Sequence, residues 1–143
     1  MSRIKVELPE QFSFSTTIPV RITDLNYGKH VGNDTILSMI HEARVQFLSR
    51  FGYGELDLAG VGVIMSDVAI EFKNELFYGD VVKVSVAAAE FSKIAFDLYY
   101  KMEKTSGDTT QLVAVAKTGM VCYDYGKKKV VAIPGEVVEK LKG

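Results

Sequence analysis

The sequence is short of several residue types. Its 143 residues include no tryptophan, three prolines and a single cysteine. The lone Cys122 cannot form an internal disulfide, and because no neighbouring residue would activate a thiolate, we expect it to be buried and reduced. No apolar run reaches the roughly 18 residues that span a bilayer, and the N-terminus lacks the apolar segment of a secretory signal. These absences predict a cytoplasmic protein with no membrane partner.

An excess of charge of one sign is also missing. The sequence has 17 Lys and Arg against 18 Asp and Glu, with both signs interspersed and a net charge of −1. That balance gives no electrostatic footprint for a nucleic-acid partner. No set of His, Cys and carboxylate residues has metal-ligand spacing, so we predict no metal. Because there is no internal repeat and no Pro/Gly/Ser-rich linker, residues 1–143 are expected to form one domain.

What the sequence does contain is one strong helical pattern. Apolar residues recur at helical intervals over residues 36–51, while polar residues fill the opposite face. Asn33 or Asp34 is placed to cap the N-terminus, and a glycine at position 52 or 54 can end the helix. The pattern predicts a helix of roughly 17 residues.

Strand-like patterns before and after this helix predict an antiparallel sheet. Alternating apolar residues bounded by turn residues mark the strands. The predicted strands are Phe12–Arg21, Val61–Phe72, Asp80–Phe91, Lys93–Glu103, Thr110–Tyr125 and Val130–Ile133, followed by a terminal helix at Pro134–Lys142. This order of elements predicts an α+β fold with a curved sheet around the long helix. Sheet edges and Val- and Ala-rich strands favour pairing of two copies.

The stretch TDLNYGKHVGND (Thr23–Asp34) has more polar side chains than a turn and a helix cap require. It lies between the first strand and the long helix. A helix N-terminus offers free N–H groups and the positive end of the helix dipole, which suit a carbonyl oxygen or a phosphate. The stretch is therefore the candidate functional site.

The segment RITDLNYGKHVGNDTILSMIHEAR (Arg21–Arg44) resembles the signature of the hotdog-fold acyl-CoA thioesterases, the 4-hydroxybenzoyl-CoA thioesterase-like group. That signature reads approximately Arg-x-x-Asp-x-Asp-x-x-Gly-His-x-Asn-Asn, followed by a helix with Glu-Ala-Arg near its middle. The matching positions are Arg21, Asp24, His30, Val31, Asn33, Glu42, Ala43 and Arg44. Downstream, IEFKNELFYGDVVKV (Ile70–Val84) resembles the family's strand, Gly-Asp turn and following strand.

The resemblance implies both a fold and an activity. It implies the hotdog fold, in which a curved antiparallel sheet wraps one long central helix, assembled as a homodimer or as a tetramer of two dimers. The active site would lie at the dimer interface near the helix N-terminus. The implied reaction hydrolyses a small or medium acyl thioester of coenzyme A, or of acyl carrier protein, to the free acid. Coenzyme A would enter as part of the substrate, and no other cofactor is implied.

One departure from the signature concerns the acid. The family commonly carries its catalytic carboxylate at the second Asp of Asp-x-Asp, where this sequence has Asn26. Asparagine can orient water or substrate, but it cannot act as a general base. Gly28 and Lys29 also reverse the usual order of a bulky residue followed by glycine. The alternative function is therefore a non-catalytic module that binds acyl-CoA. A hydratase is less favoured, because its Asn-Pro-x-His and His…Pro-Gly patterns are missing.

Three other residues are candidates for the base. Asp24 would be a base displaced from the usual position, or a turn residue that accepts backbone hydrogen bonds. His30 is of a residue type that titrates near neutral pH, or it bonds across the loop. Glu42 lies on the polar helix face, where some hotdog thioesterases place their carboxylate. Otherwise Glu42 is solvated, or forms an ion pair with Arg44 or with a second copy.

Backbone and basic groups complete the prediction. The N–H groups of residues 31–33 are candidate donors to the oxyanion, and Asn33 matches the family position whose N–H polarises the carbonyl. Lys29, Lys73 and Lys93 are candidate contacts for coenzyme A phosphates, with a solvated surface lysine as the ordinary alternative.

Overall fold

The computed structural model describes residues 3–142, which form two helices and a six-stranded antiparallel sheet. The strands are β1 (Phe14–Pro19), β2 (Gly62–Phe72), β3 (Val81–Ala89), β4 (Ala95–Ser106), β5 (Thr109–Asp124) and β6 (Lys129–Val130); the helices are α1 (Asn33–Ser49) and α2 (Gly135–Lys142). A 3₁₀ turn, Ile22–Asp24, lies between β1 and α1. The strand order is β1–β3–β4–β5–β2, and β6 pairs with the end of β5.

Helix α1 packs its apolar face against the sheet. Its buried apolar residues recur three and four positions apart, the spacing that places side chains on one face of a helix; they are Ile36, Met39, Ile40, Ala43, Phe47 and Leu48. Alternate residues of β3 and β4 face them, because side chains of a strand alternate between the two faces. These residues are Val82, Val84, Val86, Phe96, Leu98, Tyr100 and Met102. Truncating the fully buried Phe47 to alanine would cost about 3–5 kcal/mol.

The sheet is bent where its register shifts. Shifts occur between Met65 and Asp67 in β2 and between Met102 and Glu103 in β4, and a β-bulge bends and twists its strand. The result is a curved antiparallel sheet around one long helix. The predicted hotdog architecture is therefore confirmed.

Several predicted boundaries differ from the structure, including that of β4, which is Ala95–Ser106 instead of Lys93–Glu103. Three of the differences have a clear local cause. Gly32, not Asn33 or Asp34, is the N-cap of α1, since its carbonyl accepts the N–H groups of residues 35 and 36 and no side chain caps the helix. Strand β1 is shorter than predicted because the N–H of Arg21 turns to the side chain of Asp24. Strand β6 ends at Val130, since residues 131–133 make only single backbone bonds.

The antiparallel register sorts the connections onto two ends of the sheet. Pro19 pairs with Val81, and Phe72 pairs with Ala114, so the β1–α1 and β2–β3 connections share one end. We call it the β1–α1 end. The β3–β4 turn lies at the opposite end, which also holds Cys122. Within residues 3–142, no helix is long and apolar enough to cross a membrane.

Candidate active site

The stretch between β1 and α1 is held in place by the β2–β3 connection. The Val20 N–H donates to the Asp80 carbonyl and the Val31 N–H donates to the Leu76 carbonyl, each at 2.9 Å. An isolated bridge between Leu25 and Val31 closes the loop on itself. The loop is therefore fixed at both ends, and it presents its tip beside the N-terminus of α1.

The tip of this loop is a turn centred on Gly28. The Asn26 side-chain oxygen accepts the Gly28 N–H at 2.7 Å, and the Asn26 N–H donates to the His30 carbonyl at 2.8 Å. A Cβ on Gly28 would lie 3.1 Å from that side-chain oxygen and 3.3 Å from the His30 ring. Lys29 takes the left-handed conformation, φ 67°. A side chain at position 28 would therefore be tight against Asn26 and His30.

Asn26 and His30 lie together next to the helix end. A Cβ on Gly32 would be 3.8 Å from the Asn26 amide nitrogen, so the Asn26 side chain lies against the N-cap. The Nδ1 of His30 is 3.2 Å from the Val31 carbonyl. If Nδ1 donates there, Nε2 is the acceptor of the neutral ring. The turn thus holds an amide and an imidazole, and no carboxylate.

Free backbone donors lie immediately beyond this turn. Asn33 and Asp34 are the first two residues of α1 and are exposed, and the first N–H groups of a helix have no partner within it. The helix has 17 residues, and its dipole adds partial positive charge at this end. The Val31 N–H, predicted as a donor to the oxyanion, is engaged with the Leu76 carbonyl. That part of the prediction is wrong, so the donors begin after Val31.

A groove of about 450 Å³ runs between the edge strand β1 and one flank of α1. Its lining residues are Thr17, Ile18, Pro19, Arg21, Asp24, Thr35, Ser38, Met39, Glu42 and Gln46. Two of the predicted bases, Asp24 and Glu42, therefore share one groove. The groove reaches the helix end at Thr35, the third residue of α1. We call it the carboxylate groove.

Asp24 is buried at the entrance of the carboxylate groove. One carboxylate oxygen accepts the Arg21 N–H at 2.8 Å, and the other accepts from the Arg21 guanidinium at 3.3 Å. These bonds cap the 3₁₀ turn, as the turn-residue alternative predicted. The Arg21 side chain is 74% exposed, so its contact is weak. A carboxylate has about four acceptor sites, and Asp24 keeps capacity for a further donor.

Glu42 is oriented by a hydrogen-bonded pair of neighbours. The Gln46 amide nitrogen donates to Glu42 at 2.7 Å, and the Thr16 hydroxyl donates to the Gln46 amide oxygen at 2.5 Å. An ionised carboxylate only accepts, so Gln46 must point its nitrogen at Glu42. The predicted alternative of an ion pair between Glu42 and Arg44 is not seen, because Arg44 lies 3.7 Å from Glu55 instead.

The three candidate lysines do not lie together. Lys29 is exposed at the tip of the loop, and Lys73 follows β2 at the same end of the sheet, 3.2 Å from Glu71. Lys93 lies in the β3–β4 turn at the opposite end. Two of the three therefore lie at the β1–α1 end of the sheet.

Gln46 is the site residue that the sequence prediction missed. Its signal was the spacing of four from Glu42, which places two polar side chains side by side on a helix. The cysteine, by contrast, is buried as predicted, and burial raises the pKa of Cys122 to about 11. Residues 3–142 contain no group of three His, Cys, Asp or Glu side chains placed to hold a metal ion.

Comparison with known proteins identifies the family. The model of the thioesterase-like superfamily matches residues 20–141. The chain belongs to the thioesterase-like superfamily. A curated relative from Aquifex aeolicus strain VF5, named "Putative esterase", is 34% identical over 103 residues, covering 71% of this chain and 76% of the relative.

Solved structures of this superfamily share the fold. A hypothetical protein from Aquifex aeolicus is 28% identical, with a TM-score of 0.78 over 90% of this chain and 99% of that one. The 4-hydroxybenzoyl-CoA thioesterase from Pseudomonas sp. strain CBS-3 is 17% identical, with a TM-score of 0.79 over 90% of this chain and 99% of that one. The predicted class, a thioesterase-like hydrolase of hotdog fold, is therefore confirmed.

Proposed function

We propose that this thioesterase-like protein hydrolyses small or medium acyl-CoA thioesters to the free acid and coenzyme A. The observation that carries the proposal is the position of the N-terminus of α1. The groove that contains Asp24 and Glu42 reaches α1 at Thr35, which directly follows Asn33 and Asp34, and the first N–H groups of a helix have no partner within it. Thioester hydrolysis needs donors for the developing oxyanion and a base for water, and this arrangement supplies both.

The carbonyl oxygen of the thioester would accept hydrogen bonds from the N–H groups of Asn33 and Asp34. As water attacks the carbonyl carbon, charge develops on that oxygen, and the helix dipole stabilises it. The amide nitrogen of Asn26 lies against the N-cap, where it can orient the water or the substrate. The carbon–sulfur bond then breaks, and coenzyme A leaves as a thiolate that takes up the proton the base removed from water.

The distance of Glu42 from the N-terminus of α1 favours Asp24 as the base on the same chain. Glu42 lies nine positions beyond Asn33, about 13 Å further along the helix axis at 1.5 Å per residue. Asp24 and Thr35, a residue of the first turn of α1, line the same groove. A base must come within hydrogen-bond distance of its water. Glu42 would therefore act only on a carbonyl held by a second copy.

A homodimer is part of the proposal. Both edges of the sheet, β1 and β2, carry backbone groups with no strand beside them in residues 3–142. Residues 65–68 of β2 are exposed, including Met65 and Val68. An exposed edge strand is a template for pairing with another chain. Lys29 and Lys73, which lie at the β1–α1 end of the sheet, would contact the coenzyme A phosphates.

Release of free thiol from a panel of acyl-CoAs tests the function. The panel contains short, medium, long and aromatic acyl groups, and a thiol reagent follows coenzyme A. We expect turnover of the small or medium members. No turnover across the whole panel by the folded protein would refute the proposal.

Asn26 favours one alternative, a module that binds acyl-CoA without hydrolysing it. Its side-chain oxygen is engaged with the Gly28 N–H, and asparagine cannot take a proton from water. This alternative predicts calorimetric binding of acyl-CoA without turnover, and a gain of hydrolysis in Asn26→Asp. Turnover by the native protein that falls in Asn26→Asp would eliminate it.

A further inference from the structure

The apolar row on the inner face of β4 ends in a lysine. The buried residues of that row are Phe96, Leu98, Tyr100 and Met102, and the next position on the same face is Lys104. It pairs with a buried valine of β3, and residues directly opposite each other in an antiparallel pair share a face. The Lys104 side chain is only 14% exposed. An ammonium group in such a place needs partners, because an unpaired buried charge is costly.

The partners of Lys104 lie in the β2–β3 connection. Its Nζ donates to the Glu75 carbonyl at 2.7 Å and to the Asp80 carboxylate at 3.1 Å. The same carboxylate oxygen accepts the Phe77 N–H at 2.9 Å, and Nζ lies 5.2 Å from the centre of the Phe77 ring. Hydrogen bonds between charged groups are stronger than neutral ones. Lys104 therefore binds the connection at two points, Glu75 and Asp80.

The same connection fixes the loop that precedes α1. The Leu76 carbonyl accepts the Val31 N–H, and the Asp80 carbonyl accepts the Val20 N–H, each at 2.9 Å. Leu76 directly follows one residue that Lys104 binds, and Asp80 is the other. The connection itself contains neither helix nor strand, so its position depends on bonds of this kind.

We infer that Lys104 is a positioning residue for the proposed thioesterase reaction. By binding the β2–β3 connection to β4, it sets the two carbonyls that hold the loop, and through the loop it sets the Asn26 amide and the first N–H groups of α1. Lys104 acts through the backbone and not on the substrate. The inference rests on the proposed function, because that function places the reacting carbonyl at the N-terminus of α1.

Removal of the ammonium group tests the inference. Lys104→Met keeps a long side chain without the charge. We expect its kcat to fall about tenfold while KM changes less than about threefold, since small displacements of positioning groups are costly to the chemical step. The substrate is the acyl-CoA that the native protein hydrolyses fastest, and the assay temperature is one at which thermal unfolding shows each variant to be folded. Lys104→Arg, which keeps a cationic donor, should recover most of the loss.

The matched control is Lys101→Met, three positions earlier in β4. The Lys101 Nζ also lies 5.2 Å from an aromatic ring, that of Phe12, and its ion-pair partner is Glu103 at 4.0 Å. These contacts are outside the β2–β3 connection, so kcat should stay at the native value. An equal loss of kcat in the two methionine variants would overturn the inference, as would a loss that Lys104→Arg does not reduce.

Amide hydrogen exchange gives a second measurement that does not depend on activity. In Lys104→Met the Val31 and Val20 N–H groups should exchange about tenfold faster relative to the Tyr100 N–H, which reports global unfolding. Lys101→Met should leave this ratio unchanged. If Lys104→Met does not fold, both measurements are made on Asp80→Asn, which keeps the bond to the Glu75 carbonyl and should show smaller losses of about threefold.

The two measurements separate failure of the inference from failure of the proposed function. Native kcat in folded Lys104→Met, or an unchanged exchange ratio for Val31, would overturn the inference and leave the thioesterase standing. If the native protein hydrolyses no thioester, the proposed function fails. The exchange ratio then decides by itself whether Lys104 positions the loop before α1.

Discussion

The turn at the N-terminus of α1 and the carboxylate groove along its flank have complementary chemistry. The turn holds the Asn26 amide and the His30 ring, and the free N–H groups follow it, with the Asp34 carboxylate beside them. The groove holds Asp24 and Glu42. One region can stabilise a developing oxyanion, and the other can accept a proton.

Replacement of the family's carboxylate by Asn26 therefore does not leave the site without a carboxylate. Asparagine stands where the family usually has its carboxylate, two positions after Asp24. Asp24 lines the same groove as Thr35 in the first turn of α1. The oxyanion donors and the candidate base therefore lie on different segments, so each can be mutated without changing the other.

Removal of the carboxylate at position 24 should have the largest effect on activity, because it tests whether the groove supplies the base. Asp24→Asn should lower kcat by about 10²–10⁴-fold, the usual contribution of a general base. Asparagine keeps an oxygen for the Arg21 N–H, so the melting temperature should change little. The measurement is thiol release at saturating acyl-CoA, together with thermal unfolding.

Glu42→Gln is the matched comparison for Asp24→Asn, since both replace a groove carboxylate with its amide. We expect it to lower kcat less than about tenfold, because Glu42 is too far along the helix to reach a carbonyl at its own N-terminus. The opposite order of effects would assign the base to Glu42, acting across a dimer. Equal, small effects would contradict both assignments.

The sequence predicts most of the fold but only part of the site. The long helix and the strand order along the chain follow from residue periodicity, because the burial of α1 and of β3 and β4 repeats the apolar pattern. The N-cap at Gly32 could not be read from periodicity. Asparagine and aspartate are better capping types than glycine, and the Asn26 side chain that packs against position 32 comes from another turn.

Long-range contacts account for what the sequence does not reveal about the site. The Val31 N–H is lost to the Leu76 carbonyl, 45 positions away. Arg44 contacts Glu55 and Tyr100 instead of Glu42. No spacing rule encodes these choices, since they depend on how the β2–β3 connection and the segment after α1 dock onto the helix.

A side chain at position 32 should disturb the oxyanion donors that follow the turn. In Gly32→Ala the added Cβ would lie 2.6 Å from an Asp34 carboxylate oxygen, so the exposed Asp34 side chain must rotate away from its place beside the oxyanion donors. We expect kcat/KM to fall about threefold, since displacement of groups beside the reacting carbonyl is costly to catalysis. The control is Gly135→Ala at the start of α2, where an added Cβ meets nothing within 4 Å. Equal activity in the two variants would contradict the donor assignment.

The hydrogen-bonded side chains of Thr16, Gln46 and Glu42 offer a smaller test of the carboxylate groove. Gln46→Leu removes both hydrogen bonds, so we expect a loss of about 1 kcal/mol of unfolding free energy. Because Asp24 is the proposed base, kcat should fall less than about threefold. Chemical denaturation and thiol release measure the two effects, with the exposed Gln111→Leu as control. A large loss of kcat at unchanged stability would show that the orientation of Glu42 matters to the reaction.

The smallest expected effect on activity is at the far end of the sheet, where the only thiol lies. Cys122→Ala should leave kcat within about twofold, because a buried thiol with its pKa raised to about 11 is not a nucleophile near neutral pH. A marked loss of kcat would place the reaction near Cys122 instead of at the N-terminus of α1.

The same variant tests whether the Cys122 thiol is buried in the folded protein. The unfolded thiol ionises near 9.0 and the folded one near 11, so the native protein should lose stability relative to Cys122→Ala as pH rises through that window. The loss should reach about 2–3 kcal/mol in full, and urea unfolding from pH 7 upward would measure it. A difference between the two proteins that stays constant with pH would mean that the thiol is accessible to water in the folded state.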